Sequence, residues 1–111
     1  MMIRLFFRLA FLFFCCLPLA YATDNDAEML KLFKNKICLG CHQVDAKRVG
    51  PSFNMVREKY QQDSEMTADI LATRIRSGGS GVWGALRMPP QPKVSQEEAF
   101  LMAQWILGKG E

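Results

Sequence analysis

Cys38-Leu39-Gly40-Cys41-His42 places two thiols three positions apart, with a histidine directly after the second. Two such thiols can each add to a vinyl group of one haem, and His42 then lies under the iron as proximal ligand. That spacing is the signature of covalent c-type haem attachment. Competing readings are weaker. A thioredoxin-like redox pair expects a βαβ context, and the flanking sequence shows none. A structural zinc site needs four ligands, whereas beyond the first 22 residues the chain's thiols and imidazoles are Cys38, Cys41 and His42 alone. The motif uses all of them, and it implies one haem c.

Upstream of the motif, Met1 to Arg8 carries Arg4 and Arg8 and no acid, and Leu9 to Leu19 is an uncharged run rich in Leu, Phe and Cys. Leu19-Ala20-Tyr21-Ala22 then supplies the small residues of a cleavage site. Together these form the pattern of a secretory signal peptide over residues 1–22. A retained anchor would need more length, because at ~1.5 Å per residue the run falls well short of a ~30 Å hydrocarbon core. The expectation is export to the periplasm with no stable membrane insertion. Cleavage after Ala22 of this 111-residue chain leaves 89 residues, 23–111, as a single domain. Domains this small often rely on a disulfide, metal or cofactor. The remaining charge is 12 cations against 11 acids, without the dense basic surface that nucleic-acid binding requires. Its distribution is uneven, for Lys31 to Lys59 holds seven cations and two acids.

Four helical segments are predicted, joined by loops rich in Gly and Pro. The first starts near Asp24 to Asp26, whose acids suit a helix N-terminus, and runs to about Lys36 with Met29, Leu30, Leu32 and Phe33 as apolar positions. A short helix follows Pro51, with Phe53, Val56 and Tyr60 at helical spacing. The third spans about Thr67 to Ser77, with Ile70, Leu71 and Ile75 on one face and Gly78-Gly79 as its stop. The last opens on Ser95-Gln96-Glu97-Glu98, a capping box, and repeats Ala99, Met102, Ala103 and Ile106 on one face up to Gly108. No segment alternates as a strand. The predicted class is all-α.

With one histidine, a second imidazole on the iron is excluded, which leaves Met, Lys, a small exogenous ligand or an open position. Met29, Met55, Met66 and Met102 lie in or beside apolar helical patterns, where Met is usually core filler. Met88 differs. It sits in Gly84-Ala85-Leu86-Arg87-Met88-Pro89-Pro90, read as a loop that the two prolines stiffen. That placement favours Met88 as the sixth ligand.

These features accumulate into a resemblance. The chain resembles the short-chain bacterial class I cytochromes c through Leu32-Phe33-Lys34-Asn35-Lys36, the Cys38 to His42 motif, Val49-Gly50-Pro51, Arg74-Ile75, Gly81-Val82-Trp83-Gly84, Met88-Pro89-Pro90 and Ala103-Gln104-Trp105. The resemblance implies about four helices wrapped around one haem, with His42 and Met88 as axial ligands. It also implies that the carbonyl of Pro51 accepts the proximal imidazole N–H, that Arg74 and Trp83 hydrogen-bond a haem propionate, and that Phe33 and Trp105 pack the first helix on the last. Two positions depart from the family. Ile37 stands where relatives often have Gly, and Gln91 where several have Asn reaching the ligand sulfur.

An iron saturated by His and Met binds little else, and a thioether raises its potential. The expected function is a periplasmic carrier of single electrons between respiratory partners, such as a haem nitrite reductase or terminal oxidase, and not an enzyme. The expected state is a monomer that docks redox proteins transiently, with electrostatics setting the encounter rate. The alternative is a small-ligand sensor or peroxidase with an open sixth site, for which Arg87 is the only nearby polar candidate. A thiol oxidoreductase without haem is a further alternative.

Overall fold

The computed structural model describes residues 22–108. The signal peptide expected over residues 1–22 therefore lies, except for Ala22, outside the described residues. Helix α1 (Ala22–Asn35) begins a little before the predicted start, with Asp24 in its first turn and Lys34 in its last, each at the end its charge favours. Met29 and Phe33, one turn apart, are buried, while Leu30 and Leu32 are half-buried. A 3₁₀ turn over Cys38–Gly40 follows, then α2 (Phe53–Tyr60), capped by the Ser52 hydroxyl accepting from Met55 N.

Helix α3 (Ala68–Ser77) is capped by Thr67. Its buried residues are Leu71 and Ala72, with Ile75 packed against them, whereas Ile70 is exposed. The expected apolar face is thus displaced by one residue. Helix α4 (Gln96–Leu107) has the full capping box, Ser95 and Glu98 each bonding the other's backbone. Glu98 also meets Lys36 at 2.8 Å, and that hydrogen-bonded ion pair holds its carboxyl below the usual carboxylate range.

Helix α4 is the centre of the molecule. Ala99, Met102 and Ala103 have no exposure, and the helix touches α1, α2 and α3. Phe33, Phe53 and Trp105 meet where α1, α2 and α4 converge, with ring centroids 4.4 to 5.9 Å apart. Aromatic pairs at such spacing add ~0.5–1.5 kcal/mol beyond their buried area. Arg57 of α2 closes the far end of α4, donating to the carbonyls of Trp105 and Ile106 at 2.7 and 2.8 Å. A cation on the last carbonyls of a helix adds hydrogen bonds there and complements the helix dipole.

One element corrects the sequence reading. Strands β1 (Gly79–Gly81) and β2 (Gly84–Met88) pair antiparallel, so the stretch expected to be a loop is a small hairpin with Val82 and Trp83 at its tip. It carries no alternating pattern because neither face packs on the helical core. Val82, Trp83 and Leu86 are 51, 42 and 71% exposed.

Ile37 supplies the other surprise. Its φ of 65° is the only positive value at a non-glycine among the described residues. A β-branched side chain in left-handed backbone is strained, by roughly 1–2 kcal/mol, and Ile37 stands at the cleft immediately before Cys38. The family's glycine at this position has a physical reason. Ile37→Gly is expected to stabilise the protein by about 1 kcal/mol, raising the unfolding midpoint by roughly 4–8 °C. A calorimetric scan of the two proteins checks this.

Candidate functional site

The segment between α1 and α2 is built to hold one imidazole still. Its backbone is pinned by His42 N to Cys38 O at 2.9 Å, Gly50 N to Cys41 O at 2.8 Å and Phe53 N to Gln43 O at 2.9 Å. His42 Nδ1 lies 2.7 Å from the carbonyl of Pro51. A carbonyl can only accept, so Nδ1 carries the proton and Nε2 keeps its lone pair. The Phe53 ring stacks near the imidazole, 5.8 Å away and 19° from parallel. Gly50 fills in beside the ring, where an added Cβ would fall 2.7 Å from Nδ1 and 3.0 Å from Nε2. No other residue fits there without moving the histidine.

Cys38 is half-buried and Cys41 exposed, and the two are not joined in a disulfide. Burial pushes the Cys38 thiol upward. Met88 reaches the site from β2. Its carbonyl passes so close to Gly78 that any Cβ there would collide with it, and Gly78 also has a φ of 65°. The helix stop read in the sequence is equally a passage for the Met88 strand.

All seven residues singled out in the sequence, Cys38, Cys41, His42, Pro51, Arg74, Trp83 and Met88, line one cleft of about 560 Å³. That volume lies in the ~300–1,000 Å³ range of cofactor and ligand pockets. The walls are mainly apolar, and Met55 and Met102 line them as well as Met88. Met55, expected to be core filler, is 36% exposed and faces this space. The charged residues of the lining are Lys47, Arg74 and Arg87, with no Asp or Glu. An apolar slot with an imidazole, two thiols, a thioether and a cationic rim suits a flat, metal-centred, peripherally anionic cofactor. Gln91, which also lines the cleft, donates its side-chain amide to Pro89 O at 2.9 Å.

No family model matches the chain, but individual relatives do. Cytochrome c-551 of Azotobacter vinelandii is 49% identical over 77 residues, covering 69% of this chain and 92% of that protein. The chain belongs to the small class I cytochromes c. Cytochrome c-552 of Hydrogenobacter thermophilus is 48% identical over 77 residues, 69% of this chain and 76% of its own. Among solved structures, wild-type Nitrosomonas europaea cytochrome c552 has a TM-score of 0.66 at 44% identity, covering 70% of this chain and 95% of that one. A cytochrome c of this family carries one covalently bound haem and transfers electrons instead of catalysing a reaction. Among the described residues, no helix of this cytochrome is long and apolar enough to cross a membrane.

Sequence reasoning missed Gly50 and Gly78 as parts of the site. It also missed Tyr60, a cleft residue to which Arg74 Nη1 donates at 3.1 Å. Gly50 lies within Val49-Gly50-Pro51 and Gly78 follows a helix, so in the sequence they signal only a family match and a helix stop. Tyr60 falls at a core position of the helical spacing, and no spacing rule marks its hydroxyl.

Proposed function

We propose that this cytochrome is an exported, periplasmic carrier in which Cys38 and Cys41 form the haem thioethers and His42 and Met88 are the axial ligands. The observation that carries the reading is the Nδ1–H of His42 on Pro51 O, which leaves Nε2 as the only imidazole lone pair for iron. When bound, the haem supplies a site for one electron. This chain's part is to hold the two ligands, keep water from the iron and present cations to the propionates through Arg74, with Trp83 as a second donor. The mature chain begins at Thr23. Intact mass should equal residues 23–111 plus one haem, and the ferric spectrum should be low-spin with the weak long-wavelength band of an iron–thioether bond. A mass that retains Cys15 and Cys16, or high-spin iron, would reject this assignment.

Docking uses the cationic half of the surface. Lys47 lines the cleft beside the cysteines and Arg48 adjoins it, both exposed. Electron transfer to an acidic redox protein should slow as salt shortens the Debye length below ~8 Å, and charge reversal at Lys47 and Arg48 should slow it further at low salt. Stopped-flow rates indifferent to both changes would place docking elsewhere.

A further inference from the structure

We infer that Tyr60 is a positioning residue that aims Arg74 at the anionic edge of the cofactor and so sets the pH at which the reduction potential bends. The inference rests on the reading that Arg74 faces a haem carboxylate.

Tyr60 closes α2 and is 6% exposed. A buried phenol in an apolar wall needs a hydrogen-bond partner, and here that partner is the guanidinium of α3, Arg74 Nη1 donating at 3.1 Å. Arg74 Cζ also lies 6.0 Å from the Tyr60 ring centre. Lys59 Nζ stands 5.7 Å from the same ring and 5.5 Å from that of Trp83. The phenol thus sits among the side chains that end the cleft, between cations from α2 and α3. The other charged groups lining the cleft are Lys47 from the segment before α2 and Arg87 from β2, and none of the lining is acidic. A guanidinium presents several N–H donors in a fixed fork. Holding one on Tyr60 orients the remainder, and a carboxylate beside such a fork stays ionised to lower pH.

The redox link follows from charge. One electron delivered by the donor removes one unit of positive charge at the iron, so a carboxylate beside it takes up a solvent proton more readily. The potential therefore falls as pH rises through the carboxyl's titration. Loosening Arg74 weakens the ionised form, and the window moves to higher pH.

The test is spectroelectrochemical titration of holoprotein across pH for the unmodified chain, Tyr60→Phe, Arg74→Gln and the double variant. Tyr60→Phe keeps the ring and removes the hydroxyl, and its window is expected to move up by about half a pH unit or more. In the Arg74→Gln background the same change should move nothing further. An unmoved window in Tyr60→Phe, while Arg74→Gln moves it, overturns the role of Tyr60 alone. Equal shifts in both backgrounds overturn it too, because Tyr60 would then act on the carboxylate directly. A window unmoved by Arg74→Gln removes the carboxylate reading of Arg74 and the inference with it.

Discussion

Met88→Ala is expected to fold, retain its haem and lose its function as a high-potential carrier. Met88 is half-buried at the end of β2, so truncation costs little core packing. What it removes is a soft, neutral donor that favours ferrous iron. The potential should drop on the order of 0.1 V or more, within the ~0.8 V that axial ligation spans. Carbon monoxide and cyanide should then bind readily, and the long-wavelength ferric band should vanish. The controls are the other two cleft methionines. Met102 has no exposure, and its change to Ala should cost ~2–5 kcal/mol of stability while leaving the band in place. Met55 is partly exposed, and Met55→Ala should alter neither strongly. A band that persists in Met88→Ala and disappears with Met55 would transfer the ligand role to α2.

The second large effect is expected at Cys38. Cys38→Ala should lower the yield of holoprotein by roughly an order of magnitude or more, because a domain of this size depends on its cofactor for stability. Any haem recovered should be held by Cys41 alone, with the pyridine spectrum of one unreacted vinyl. In the unmodified protein the haem should stay with the chain through denaturation and acid-solvent extraction. Abundant, folded, colourless Cys38→Ala would mean that the helices need no cofactor.

The parts of the fold that were legible in the sequence are those whose signals are local. The Ser95 capping box and the Phe53, Val56 and Tyr60 spacing each work within one or two turns, and each stands where the sequence places it. The cleft's seven residues were legible for a different reason, since their chemistry and the family pattern mark them one by one. Tertiary features were not legible. Ile70 and Leu71 are equally apolar neighbours, and only the direction of α4 decides which is covered. The hairpin has glycine at Gly79, Gly81 and Gly84 and no alternating apolar face to announce it. Gly50 and Gly78 matter through the space they leave for His42 and the Met88 carbonyl, and space has no letter in the sequence. Ile37 adopts left-handed backbone with a φ of 65°, which no propensity scale would assign to isoleucine.

The hairpin's isolation bears on how the holoprotein is assembled. Helices α1, α2 and α4 share an aromatic junction that closes without it, whereas Val82, Trp83 and Leu86 find no helical core to cover them. The aromatic frame of the three helices thus owes nothing to the hairpin, which forms a separate wall of the cleft. A haem held in the cleft would lie against Val82, Trp83 and Leu86, which all line it. On the proposed ligation, Met88 at the end of β2 would tie the hairpin to the cofactor, so that a bound haem would serve as the hairpin's core.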